Sequence, residues 1–358
     1  MQRIVDKWAT WLVPIACLIA IVSYFATGNI VRAVTVLVVF CPCALALATP
    51  TSVVAAIGQA TKKGVLIKSG EALELMGNIE TVAFDKTGTL TYGDLSVSDI
   101  LPHEINTEEL IFLAASAENR SEHPLGRAIV SYAIQNGIQT IDDDEFSMQV
   151  GLGVSAKVGN KKIFCGNEKM ISENTEIILP PFVQSDIHAL RDQGKAVILV
   201  TDQVKFLGII ALSDTMRDKS QQLISTLKKN GITKTVLLTG DNEKTARYIA
   251  RHVGIQEVYS SLLPEGKVEA IYDLQKNGNL ICMVGDGVND APALKAASVG
   301  IAMGTMGSDI AIEAADIALL GDDVSKVAYI KRLGNATMKT IKFNITVSML
   351  INAVAVAC

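Results

Sequence analysis

The sequence predicts an α/β protein: a parallel sheet with helices on both faces, interrupted by an inserted α+β domain and attached to membrane helices. Three observations carry this expectation. From about residue 220, helical segments at 218–230, 242–253 and 265–277 alternate with the short apolar runs Thr235–Leu238, Leu280–Val284 and Val299–Met303. Such alternation buries strands between two layers of helix. The apolar run Val82–Phe84 has the same character, yet the alternation lapses between it and residue 220, so roughly 94–205 reads as an insertion. Finally, residues 8–31 and 33–61 carry no charge over 24 and 29 positions, each enough to cross a hydrocarbon core of ~30 Å as a helix.

The two uncharged stretches read as a membrane hairpin turning at Arg32, with Arg3, Lys7, Lys62, Lys63 and Lys68 at its ends. Basic flanks place both ends, and the polar region from Lys62 to Lys342, on the cytoplasmic side. A third uncharged stretch, 343–358, is short for a span and reads as the truncated start of a further membrane helix. The expected division is 1–77 for the hairpin, 78–93 with 206–335 for the sheet domain, 94–205 for the insertion and 336–358 for the last helix. Within the insertion, KAVILV and QVKFLGII flank Thr201-Asp202 as an antiparallel hairpin. The net charge of −5, with no basic stripe, argues against a nucleic-acid partner. The six cysteines do not fall into a disulfide framework by spacing.

Three expected strands end in residues suited to phosphoryl chemistry. The first leads into DKTGTLT at 85–91. Reactive groups of parallel sheets gather beyond the carboxyl ends of the strands. Asp85 stands there as a nucleophile, Lys86 supplies a cation, and the turn around Gly88 lets backbone N–H groups approach phosphoryl oxygens. The second strand ends in Thr239-Gly240-Asp241, a hydroxyl with backbone donors. The third ends in GDGVNDAP at 285–292, where Asp286 and Asp290 form an acidic pair for a cation, and Lys267 opens the helix between these two strands. Taken singly, TGD is also a common structural turn and Asp85 also a solvated turn residue. In this order they are the parts of magnesium-assisted phosphoryl transfer. Asp214 and Arg217, where the chain re-enters the sheet, read equally as a hinge or as solvated charges. In the second uncharged stretch, Cys41-Pro42-Cys43 combines a helix-breaking proline with two thiols, a place for a soft or borderline metal ion or simply two apolar cysteines at a kink.

The string DKTGTLT, with TGD, Lys267 and GDGVNDAP, resembles the haloacid-dehalogenase-like superfamily in the form used by P-type ATPases. CPC ahead of the phosphorylation string resembles the heavy-metal-transporting branch. The resemblance implies an ATP-driven exporter that phosphorylates Asp85. It assigns catalysis to Asp85, Lys86, Thr87, Thr239, Gly240, Asp241 and Lys267, and the Mg²⁺ region to Asp85, Thr87, Asp286 and Asp290. Thr87 falls where many phosphatases of the superfamily carry an acid/base Asp, which implies a longer-lived phosphoenzyme. The insertion, with SEHPLGRAI at 121–129, resembles the nucleotide-binding domain of these pumps and implies that Glu122, His123, Gly151, Gly153, Gly166 and Asn167 surround ATP. Glycines let a backbone approach a flat base, and His, Glu and Asn offer directional hydrogen bonds.

The transported ion would be held by Cys41, Cys43 and Asn352. At Ile351-Asn352 the Lys of zinc, cadmium and lead pumps is absent, as is the Tyr of copper pumps; with Glu122 before His123 this slightly favours Cu⁺ over Zn²⁺ or Cd²⁺. The implied setting is an integral membrane protein, in lipid, with cytoplasmic catalytic domains. The sequence has no TGE string, so the resemblance further implies a fragment whose actuator part is supplied elsewhere. Two other readings stand beside this one: a membrane-tethered phosphatase of the same superfamily, and a non-pumping metal-binding remnant.

Overall fold

The computed structural model describes residues 2–39, 43–142, 144–286, 290–304, 313–321 and 323–357. Its strands are β1 (Val65–Ile67), β2 (Thr81–Asp85), β3 (Thr91–Pro102), β4 (Asp144–Gln149), β5 (Gly153–Val158), β6 (Lys161–Gly166), β7 (Ala196–Thr201), β8 (Phe206–Met216), β9 (Lys234–Leu238), β10 (Glu257–Tyr259), β11 (Ile281–Gly285), β12 (Val299–Gly304) and β13 (Ile317–Leu320). They form two sheets. One has seven strands in the order β1-β13-β12-β11-β2-β9-β10, the other six in the order β3-β8-β7-β6-β5-β4. In the first, β11, β12 and β13 are mutually parallel, β9 and β10 are parallel, and β1 runs antiparallel to β13. The second is antiparallel throughout.

The central strands of this sheet are buried on both faces, as its helical layers require, whereas the edge strands β1 and β10 are partly exposed. All five residues of β2 and all five of β11 are buried, and such strands read as continuous apolar runs. The six-stranded sheet also has two cores, but its strands alternate between them. Ile163 and Cys165 of β6 and Ile210 and Leu212 of β8 face a core with Leu110, Ile111 and Ala114 of helix Thr107–Ala117 and Ile129 of helix Pro124–Gln135. Phe164 and Ile209, one residue out of phase, face Met170, Ile171, Val183 and Ile187 of helices Glu168–Asn174 and Pro181–Asp192. The expected hairpin is β7 with β8. β3 and β8 carry the insertion's sheet out to Thr91 and Met216, beyond the expected limits of 94 and 205.

The chain divides into two compact units, one of Met1–Ala83, Gln222–Thr235 and Pro264–Cys358, the other of Phe84–Gln221 and Val236–Leu263. In the first, helix Gln2–Thr27 stops at Gly28, which is left-handed (φ 62°), and Asn29 Oδ1 accepts from Val31 N (2.9 Å) to begin helix Ile30–Val39. The hairpin therefore turns at Gly28-Asn29; Arg32, expected at the turn, lies inside the second helix. A third helix, Cys43–Thr61, follows. Residues 40–42, which include Cys41 and Pro42 of the Cys-Pro-Cys sequence, lie outside the described residues. Among the described residues no helix is long and apolar enough to cross a membrane, so the two expected spans are not found as described helices. Leu18, Phe25, Val31, Val38 and Val54 are nonetheless exposed, an apolar surface of the kind that another phase or partner covers.

Helix Gly70–Asn78, capped by Ser69 accepting from Ala72 N, crosses the 32-residue helix Lys326–Ala357. The crossing is made by glycines: a Cβ on Gly77 would meet the backbone of Gly334 and Met338 Cγ, and one on Gly334 would meet Gly77 N and Leu73 O. Small residues are what let two helix backbones touch. Beside them Lys331, 3% exposed, donates from Nζ to Met76 O (3.2 Å), Gly77 O (2.9 Å) and Ile79 O (2.7 Å). A cation on the last carbonyls of a helix completes its hydrogen bonding and opposes its dipole.

Candidate active site

In the second unit, Asp85 ends β2 and is 6% exposed. The chain then turns sharply: Thr87 is extended (φ −72°, ψ 133°) and Gly88 is left-handed (φ 69°). A glycine avoids the Cβ clash of that conformation. The turn is fixed from behind by Arg217, itself buried, whose Nη2 donates to Gly88 O (3.1 Å) and Nε to Thr91 O (3.0 Å), with its guanidinium 4.6 Å from the Tyr92 ring centroid. Asp214 holds the next turn, Oδ2 accepting from Thr91 Oγ1 (2.5 Å) and Oδ1 from Gly93 N (2.9 Å). Burial raises the Asp214 carboxyl above its ordinary range, against those two hydrogen bonds. Asp214 and Arg217 are therefore structural braces of the Asp85 loop, and the solvated-charge alternative fails for both.

Lys86 Nζ reaches Asp241 at 2.8 Å from Oδ2 and 3.1 Å from Oδ1. Asp241 is held in turn by Thr239: Thr239 Oγ1 donates to Asp241 Oδ2 (3.0 Å) and accepts from Asp241 N (3.2 Å). Gly240 sits between them, where a Cβ would come within 3.3 Å of Leu262 O. TGD and the lysine of DKTG are thus one bonded cluster.

In the first unit, Lys267 Nζ lies 2.6 Å from Asp290 Oδ1, with side chains only 11% and 1% exposed. Asp290, expected in the magnesium region, thus has one carboxylate oxygen on the Lys267 ammonium. Such a buried pair positions the lysine, because either charge alone would be costly there. Asp286 follows β11 and is half-buried.

In the insertion, the predicted glycines have a backbone reason. Gly153 and Gly166 are register partners on β5 and β6, and a Cβ on Gly153 would fall on Cys165 O and Gly166 Cα. Asn167 bonds Gly151 O through Nδ2 (2.9 Å) and caps helix Glu168–Asn174 through Oδ1, accepting from Met170 N (3.0 Å). Its amide therefore shapes the Gly151 loop. His123 caps helix Pro124–Gln135, Nδ1 accepting from Leu125 N (3.3 Å), and both His123 and Glu122 are exposed. Sequence reasoning passed over Glu118. It is 5% exposed, bonds Ser121 beneath the SEHP segment, and its pKa is raised to about 7 by burial, against the Ser121 hydrogen bond. A Cβ on Gly126 would strike Glu118 Oε2 and Ser121 Oγ. Glu118 ends the apolar run LIFLAASA, a charge where burial was to be expected, and that was its signal in the sequence.

Among the described residues no group of three or more His, Cys, Asp or Glu is arranged to hold a metal ion. Cys41, of the expected site for the transported ion, lies outside the described residues, as do the side chains of Cys43 and Asn352.

Residues 79–298 match the haloacid dehalogenase-like hydrolase family. Over 99% of its length the chain is 41% identical to a cadmium-transporting ATPase of Staphylococcus aureus, of which it covers 50%. Over 96% it is 40% identical to copper-transporting ATPase 2 of Rhizobium meliloti, covering 43%. A solved zinc-transporting PIB-type ATPase in the E2.Pi state superposes with TM-score 0.86 at 36% identity, over 97% of this chain and 57% of that one. The chain thus spans about half the length of the curated relatives it matches. With an α/β sheet whose strand β2 leads into DKTGTLT, an inserted antiparallel domain and these likenesses, the chain belongs to the haloacid dehalogenase-like family and, within it, to the heavy-metal-transporting P-type ATPases.

Proposed function

We propose that the chain is the catalytic and membrane core of an exporter that uses ATP to move a heavy-metal cation through a phosphorylated Asp85. One observation carries this reading: a buried carboxylate at the end of β2 is followed by a lysine whose ammonium is fixed on Asp241. A nucleophile held out of water beside an oriented cation suits attack on a phosphorus centre, where catalysis is mostly positioning and electrostatics.

An Asp85 carboxylate oxygen attacks the terminal phosphorus of ATP, forming an acyl-phosphate O–P bond as the bond from that phosphorus to the bridging oxygen breaks and ADP leaves with the electron pair. Lys86, aimed by Asp241, and Lys267, aimed by Asp290, balance charge on the phosphoryl oxygens. Thr239 Oγ1 and the backbone around Gly88 and Gly240 offer donors. Asp85, Asp286 and the Thr87 carbonyl would hold Mg²⁺. This is an all-oxygen set with few carboxylates, the kind that Mg²⁺ takes when substrate phosphates complete its shell. When bound, Mg²⁺ neutralises phosphate charge. The insertion binds the nucleotide near Gly151 and the SEHP segment. Thr87, in place of an acid/base Asp, supports a lasting phosphoenzyme over rapid phosphatase turnover.

The cargo is a soft or borderline ion taken by Cys41 and Cys43 with Asn352, within a membrane whose cytoplasmic side carries the catalytic units. Paired thiolates accept Cu⁺, Zn²⁺ and Cd²⁺ alike. The test is phosphorylation of the full chain in detergent by γ-labelled ATP and Mg²⁺, with Cu⁺, Zn²⁺ or Cd²⁺ added in turn. Acid-stable label is expected in the wild type and lost in Asp85→Asn; the ion that raises it, with no response in Cys41→Ser or Cys43→Ser, is the cargo. Label retained by Asp85→Asn removes Asp85 from the nucleophile role.

A further inference from the structure

The first unit contains a cavity of about 470 Å³ that the phosphoryl chemistry does not use. Its volume lies within the ~300–1,000 Å³ of small-molecule sites. The lining includes Lys63, Lys326, Arg332, Tyr329, Ser325 and Asp323. The cations are unusually placed. Lys63 Nζ and the Arg332 guanidinium both lie over one ring, 4.6 and 5.9 Å from the Tyr329 centroid, and among the described residues neither forms an ion pair with a carboxylate. Among the described residues the Lys326 ammonium bonds carbonyls, Leu320 O at 2.9 Å and Gly64 O at 3.4 Å. Gly64 makes room for it, since a Cβ there would lie 3.0 Å from Nζ. The Tyr329 hydroxyl is buried with no hydrogen-bond partner among the described residues. Asp323 is the acidic member of the lining among the described residues, and its Oδ1 accepts from Ser325 N (3.1 Å) and Ser325 Oγ (2.6 Å).

Three cations here face one lining carboxylate among the described residues, and a bound anion is what balances such an excess of like charge. Arg and Lys together, with a hydroxyl, match the oxygens of a phosphate group. From this juxtaposition we infer that the cavity is a binding site for a phosphate-bearing anion, distinct from the site of phosphoryl transfer and independent of whether Asp85 is phosphorylated. A phospholipid headgroup and a soluble phosphate present the same chemistry, and the experiment separates them.

The delipidated full chain in detergent is titrated with inorganic phosphate and followed by thermal unfolding. In parallel it is mixed with phosphatidylglycerol or phosphatidylcholine and followed by native mass spectrometry. The expected result is saturable stabilisation by phosphate, retention of one phosphatidylglycerol in preference to phosphatidylcholine, or both; phosphate alone assigns a soluble anion, and phosphatidylglycerol alone a lipid. Lys63→Gln and Arg332→Gln each weaken binding about tenfold or more, the usual loss of a hydrogen bond to a charged group. Both side chains are exposed, so both variants fold. Lys62→Gln, on the neighbouring residue outside the lining, binds as the wild type. Absence of saturable binding to either probe overturns the inference, as does undiminished binding by Lys63→Gln and Arg332→Gln.

Discussion

Glu118 makes the stability of the six-stranded domain depend on pH, and the size of the effect follows from its surroundings. Burial raises its pKa from 4.5 to about 7, against a hydrogen bond from Ser121. Because the folded pKa lies above the unfolded one, the native domain binds the extra proton between these values. Stability is therefore full below about 4.5, falls as pH rises, and levels off above about 7. At about 1.4 kcal/mol per pKa unit, the loss is about 3 kcal/mol. Glu118→Gln keeps a polar partner for Ser121 but cannot ionise, so its stability is flat across the same window. The assay is hydrogen exchange of residues 107–135 in the full chain, corrected for intrinsic rate, at a series of pH values spanning the window. Wild-type protection is expected to fall with pH and the variant's to stay constant. Protection that is flat in the wild type, or that falls equally in the variant, refutes the assignment of a proton to buried Glu118.

Three other perturbations test separate parts of the structure. Lys331→Met leaves three carbonyls of the Met76–Ile79 turn without their donor and destabilises the first unit by about 3 kcal/mol, measured by thermal or denaturant unfolding. Arg217→Lys cannot reach Gly88 O and Thr91 O with a planar fork; label transfer from ATP to Asp85 slows at least about tenfold at about 1.4 kcal/mol of lost positioning, while ATP binding is unchanged. Gly153→Ala places a methyl on Cys165 O and costs roughly 2 kcal/mol of domain stability, with weaker ATP binding by calorimetry.

Much of this was legible in the sequence, for physical reasons that differ by region. The parallel sheet announced itself because strands buried on both faces are continuous apolar runs, so Val82–Phe84 and Leu280–Val284 needed no alternation to be recognised. DKTGTLT and TGD stood out in the sequence as candidate chemistry, but not as partners: that Lys86 and Asp241 bond each other is a consequence of folding. Arg217 and Asp214 were ambiguous because a charge that braces a turn and one that is solvated look alike until burial is known. Asn167 was identified by resemblance alone, whereas its two amide bonds show a backbone task that its place before a helix could have suggested. Arg32 was misplaced because charge marks membrane boundaries, while a glycine and a capping Asn mark helix ends; Gly28-Asn29 was the better signal.

The glycine crossing of helices Gly70–Asn78 and Lys326–Ala357 has a mechanical consequence. Side chains between helices yield by changing rotamer, but at Gly77 and Gly334 there is no such cushion, and close-packed interiors transmit strain. A movement at the start of β2 therefore reaches the long helix without damping. From Gly334 that helix runs on to Ala357, about 35 Å at ~1.5 Å per residue, so a tilt of about 5° at the crossing swings its far end by about 3 Å. Two absent methyl groups make the crossing a fulcrum and the helix its lever.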